Sequence, residues 1–166
     1  MNLYSLIETI NNIGDTLMNR TLSVPEWHQL AQTGSAPMMH ILLHGSSMEP
    51  LIRIRKDYVT IAQTEVSPLI GDIVLFSDPN QEGRYVVHRV WKKKDNSVLT
   101  WGDNCPAPDG WIPLDHVWGK VILIERGESR IKPHPKTGLI WAWIWHHVMK
   151  IYRLRERMRS KQNKGQ

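Results

Sequence analysis

A serine in a glycine-containing turn and a histidine on a strand-like run about forty residues later are the side chains best placed by type to act together. The serine is Ser47, in His44-Gly45-Ser46-Ser47-Met48-Glu49-Pro50, and the histidine is His88, in Tyr85-Val86-Val87-His88-Arg89-Val90. A tight turn presents a hydroxyl at the surface, and an imidazole with an ordinary pKa of about 6.5 can take its proton near neutrality. Each segment alone has a plainer reading: Gly-Ser-Ser is common in loops, and a histidine after two valines commonly packs half-buried in a sheet. A third segment supplies acids in a turn-rich setting, Thr100-Trp101-Gly102-Asp103-Asn104 followed by Asp109-Gly110-Trp111-Ile112-Pro113-Leu114-Asp115. Serine, histidine and aspartate together can attack a carbonyl: the hydroxyl attacks, the imidazole carries the proton and the carboxylate orients the imidazole.

These segments resemble the type I signal peptidases and the related self-cleaving repressor peptidases. Ser47-Met48-Glu49-Pro50 is similar to their Ser-Met-x-Pro nucleophile turn, Gly71-Asp72-Ile73-Val74 to their Gly-Asp-x-Val strand start, and Val87-His88-Arg89-Val90 to their base-bearing strand. Gly102-Asp103-Asn104 through Gly119-Lys120-Val121 is similar to their closing box. The resemblance runs from about Gly45 to Val121, under half of the chain. Bacterial signal peptidases and the repressors carry a lysine base, whereas the endoplasmic reticulum and archaeal type carries a histidine, so His88 implies the histidine branch. The resemblance implies Ser47, His88 and Asp109 as the catalytic set, with Asp103 as a supporting or alternative acid. It places the oxyanion hole at the backbone N–H of Ser47 with Ser46 nearby, because Gly45 stands where many signal peptidases have a second serine. Lys56-Asp57 stands where relatives usually repeat Gly-Asp, so an altered turn is expected there.

Other chemistry finds little support. The single Cys105 precludes an intrachain disulfide and fits a reducing compartment, and no Cys-His spacing gives it a role. The eight histidines are scattered, and the one adjacent pair, His146-His147, would point about 100° apart on a helix, so neither a metal site nor a cofactor is expected.

The elements that must position these residues follow from local pattern. With 166 residues and 41% hydrophobic content, a single soluble globule with appendages is expected. Leu3, Leu6, Ile7, Ile10, Ile13 and Leu17 recur at helical spacing, predicting an amphipathic helix over 3–18. Ser23 and Glu26 have capping-box spacing with Pro25 in the first turn, predicting a second helix that stops by Gly34. From Met38 the texture changes to short β-branched runs: His40 to His44, Tyr58 to Gln63, Asp72 to Phe76, Arg84 to Lys92, Ser97 to Trp101 and Val117 to Arg126. Pro106, Pro108 and Pro113 predict a loop around the acids. The expected fold is mainly β, a signal-peptidase or repressor-peptidase-like β-barrel or curled sheet over 38–132. N-terminal helices over 1–37 and a C-terminal, Trp-rich, basic amphipathic helix and tail over 133–166 complete it.

That C-terminal helix holds all of the excess positive charge. Lys150 to Gln166 has seven Lys or Arg against one Glu, a net +6, leaving −1 on the other 149 residues. Its apolar run, Leu139 to Trp145, is far short of the roughly 20 residues that cross a bilayer. On a helical projection Trp141, Ile144, Trp145, Val148, Ile151 and Tyr152 share a face. That face either packs on the barrel or meets an anionic membrane surface; nucleic-acid binding has weaker support, since no base-reading module accompanies the charge. Acidic and basic residues interrupt 1–39, so neither an export signal nor a membrane span is expected, which places the protein in the cytoplasm or peripherally on the inner membrane face. A serine endopeptidase acting on a peptide or precursor protein is expected. A self-cleaving regulator and a non-catalytic peptide-binding module of the same fold are the alternatives.

Overall fold

The computed structural model describes residues 22–34, 36–63 and 67–162. The helix expected over 3–18 lies outside them. The chain divides into two compact units, Met1–Ala36 and Pro37–Gln166, so the residues beyond 132 belong to the same unit as the sheet.

In the first unit the described helix is α1, Val24–Gln32. Its capping box forms as the spacing predicts: the Ser23 hydroxyl accepts from the Glu26 N–H at 3.4 Å, and the Ser23 N–H donates to the Glu26 carboxylate at 2.9 Å. These contacts satisfy two N–H groups that the first helical turn leaves without partners. Gly34, at φ 71°, follows the helix end.

The second unit is an antiparallel sheet of eight strands: β1 Met39–Leu42, β2 Tyr58–Gln63, β3 Ile73–Ser77, β4 Tyr85–Lys94, β5 Ser97–Trp101, β6 Gly110–Pro113, β7 Val117–Arg126 and β8 Ser129–Ile131. They pair in the order β1-β2-β7-β3-β4-β5-β6, with β8 on β7. The path ends at β1 and β6, which do not pair with each other, so the sheet is open and is not a closed barrel. The strands at the two ends of the path are only four residues long, which shortens the row of unpaired backbone groups they present. β6 and β8 fall where the sequence pattern predicts no strand. Pro113 is tolerated in β6 because an edge strand forms its ladder on one side only.

One face of the sheet gathers Val74 and Phe76 of β3, Val90 of β4, Val98 of β5 and Ile112 of β6 into a core cluster. Residues directly opposite in an antiparallel pair point to the same face, so the pairings Val74 with His88 and Val90 with Thr100 place His88 and Thr100 there too. The alternate residues of β4, Val87, Arg89 and Trp91, face the other way. There the rings of Trp91 and Trp101 meet His146 of α2, Pro135–Gln162, at 5.2 and 4.1 Å between centroids. β4 is therefore covered on both faces, and Val87 through Val90 are buried.

α2 is seated closely because glycines and an alanine line the contact. A methyl group on Gly71, which sits at φ 97°, would lie 2.2 Å from the Pro135 carbonyl oxygen, and one on Gly138 would lie 2.6 Å from the Arg89 guanidinium. Ala142 is buried one turn further on. The helix thus presents Gly138, Ala142, Trp145, His146, Met149 and Arg153 inward. Trp141, Ile144, Val148, Ile151 and Tyr152 are exposed, so of the six residues expected to share an apolar face only Trp145 is half-buried.

Candidate active site

The serine turn is fastened from below. Met48 and Ile52 are each 1% exposed, and the Glu49 N–H donates to the Ser46 carbonyl at 3.1 Å. The Glu49-Pro50 peptide is cis. Behind the turn, Asp57 is fully buried and accepts from the Arg53 N–H at 3.0 Å and from the guanidiniums of Arg53 and Arg126. Burial alone would raise the Asp57 pKa, but the hydrogen bonds and charge of the two arginines hold the carboxyl far below the usual carboxylate range. Arg126 also donates to the Leu51 carbonyl at 2.9 Å, tying β7 to the segment after the turn. In the altered turn expected at Lys56-Asp57 the left-handed residue is Arg55, at φ 54°.

His88 and Asp109 come together. His88 is 4% exposed, and its Nδ1 lies 2.7 Å from Asp109 Oδ2. The same oxygen accepts from the Thr100 hydroxyl at 2.8 Å, and the Asp109 N–H donates to the Thr100 carbonyl at 3.0 Å. Pairing of Thr100 with Gly110 sets this register, so β6 delivers Asp109 to the end of the face that carries His88. Burial pushes the imidazole toward a lower pKa, but the hydrogen bond and charge of Asp109, together with Cys105, outweigh it and raise His88 to about 9.

Asp103 lies elsewhere. It forms a buried, two-pronged ion pair with Arg89, Nε to Oδ1 at 2.9 Å and the second guanidinium nitrogen to Oδ2 at 2.7 Å. Arg89 spends a further N–H on the Gly71 carbonyl at 2.9 Å. Asp103 therefore locks the acid-bearing turn to β4, beneath α2, while Asp109 orients the histidine.

Ser47 is brought to the site through its backbone. The Asn104 N–H donates to the Ser47 carbonyl at 2.7 Å, and the Asn104 side-chain amide donates to the Ser46 carbonyl at 3.3 Å. A methyl group on Gly102 would lie 2.7 Å from His88 Nε2, 2.7 Å from Cys105 Sγ and 2.8 Å from the Ser47 carbonyl, so all three meet around the space that glycine leaves open. Among the described residues the Ser47 hydroxyl makes no hydrogen bond to His88. Nε2 lies 4.0 Å from Cys105 Sγ. The Ser47 N–H makes no backbone hydrogen bond among the described residues, and Ser46 is exposed.

Sequence spacing misses Cys105, Thr100, Arg89 and Asn104. Cys105 sits two residues after Asp103, and a tight turn there, closed by the Cys105 N–H on the Gly102 carbonyl at 2.9 Å, is the local signal that turns it toward His88. Among the described residues no cluster of His, Cys, Asp or Glu could hold a metal ion. No protein-family model matches the chain.

Proposed function

We propose that the protein is a serine endopeptidase of the signal-peptidase-like type, in the histidine-base branch, cleaving a peptide or precursor protein. The observation that carries this is the buried His88 held by Asp109 at 2.7 Å, with its other nitrogen facing the space beside the Ser47 turn. In this mechanism the Ser47 oxygen attacks the scissile carbonyl carbon while its proton passes to His88 Nε2. Asp109 keeps the Nδ1 proton in place and stabilises the imidazolium. The Ser47 N–H faces the developing oxyanion. His88 then protonates the leaving amine as the C–N bond breaks, and water, deprotonated by the same imidazole, hydrolyses the acyl-enzyme. Among the described residues β1 and β6 end the strand path, and an extended peptide can add to such an edge as a further strand.

The contact between Cys105 Sγ and His88 Nε2 favours a second reading, in which Cys105 is the nucleophile of a Cys-His-Asp set. Labelling with a serine-directed phosphonate, followed by peptide mass mapping, separates them. The proposal expects modification of Ser47 that His88→Ala abolishes, and a fall of about 10⁴-fold or more in turnover for Ser47→Ala and His88→Ala. Cys105→Ala should keep most activity. Full activity in Ser47→Ala together with none in Cys105→Ala would transfer the role to the thiol.

A further inference from the structure

From the outward face of α2 we infer that this helix docks in the plane of an anionic lipid bilayer surface, independently of whether the protein is a peptidase. The stretch Gly138-Leu139-Ile140-Trp141-Ala142-Trp143-Ile144-Trp145 is apolar on every side of the helix. Such a helix is ordinarily buried all round, yet only one side of this one meets the sheet. On the other side Ile140, Trp141, Trp143, Ile144, Val148 and Ile151 are between 40% and 71% exposed. Large apolar side chains grouped on one surface mark a contact site rather than the scattered exposure of an ordinary surface.

Charge identifies the occupant. Ser129 to Gln166 carries ten Lys or Arg against one Glu, and Lys136 and Arg155 flank the apolar patch. A second copy of this chain would set like charge against like charge in either orientation, because both ends of the helix are basic. An anionic leaflet matches the pattern: lysines and arginines reach the headgroups while the apolar side chains enter the acyl boundary. Trp141, Trp143 and Tyr152 have the amphipathic rings that settle at that boundary. No helix among the described residues is long and apolar enough to cross a membrane, so the contact lies on the surface rather than through it.

The test uses the full chain with vesicles of phosphatidylcholine alone or mixed with phosphatidylserine at about three to one, in about 0.1 M salt, read by co-sedimentation and tryptophan fluorescence. Binding to the anionic vesicles should be at least about tenfold tighter than to neutral ones and should weaken with salt. Ile144→Glu with Val148→Glu should weaken it about tenfold or more, with the emission blue-shift lost. Lys150→Glu with Arg155→Glu, which leaves the apolar patch intact, should remove the preference for anionic vesicles. All four side chains are exposed, so an unchanged circular dichroism spectrum is expected for both variants. Equal vesicle binding by wild type and the Ile144/Val148 variant would overturn the proposal. So would a lipid-free dimer in sedimentation equilibrium that the same substitutions convert to monomer.

Discussion

At the residue scale, the proposed peptidase chemistry turns on the protonation of His88. With its pKa raised to about 9 the imidazole is charged at neutral pH, and only its neutral form can accept the Ser47 proton. kcat/KM should therefore climb about tenfold per pH unit until near pH 9, a steady-state pH profile being the check. Cys105→Ala removes one of the groups that raise His88, so the rising limb should move to lower pH. The sign for stability is opposite: a pKa raised from 6.5 to about 9 stabilises the fold fully below 6.5, and that contribution is lost as pH rises through about 9. The contact between His88 and Asp109 agrees with what the resemblance implies, although the β6 register that delivers Asp109 was hidden in the sequence. The approach of Cys105 to His88 was not legible either, because it depends on strand pairing and on the Gly102 to Cys105 turn rather than on spacing.

At the element scale, two carboxylates six residues apart should fail in different ways. Asp109→Asn leaves the strands intact and should lower turnover by about 10³ to 10⁴-fold through a misplaced imidazole proton, and it also forfeits the stability that the charged His88 and Asp109 pair supplies below about pH 9. Asp103→Asn strips a buried guanidinium of its partner and should cost about 3 to 5 kcal/mol, measured by denaturant unfolding. The sequence pattern gave β2, β5 and β7 their observed bounds, since their branched and aromatic runs end at turn residues. It concealed β6, because proline in the run reads as loop until an edge position is known. It left open whether the tryptophan face of α2 packs on the sheet or turns outward. Periodicity groups the large side chains of a helix, but here the small residues Gly138 and Ala142 permit close approach to Arg89, and the large ones turn outward.

At the scale of the whole molecule, charge is strongly divided: residues 1–128 carry a net −4 and 129–166 a net +9. The basic segment is nevertheless part of the folded body. Truncation after Lys132 would uncover Arg89 and Trp91, so that variant should unfold at a temperature lower by several degrees or more and be cleaved rapidly by trypsin, as melting and limited proteolysis will register. Packing of this helix on the sheet was one reading the sequence left open; that β4 depends on it arises from a strand buried on both faces. Asn104 carries the consequence furthest. Its N–H holds Ser47, its amide holds Ser46, and its carbonyl accepts from Arg153 of α2 at 2.9 Å. The helix is fixed again where Pro135 meets Gly71 and where Gly138 meets Arg89. Serine and helix are thus joined at a set separation, and a helix resting on lipid would hold the Ser47 hydroxyl, the proposed nucleophile, at a constant height above the bilayer. The molecule would then act as a gauge, selecting substrates by how far the scissile bond stands from the membrane as well as by the residues around it.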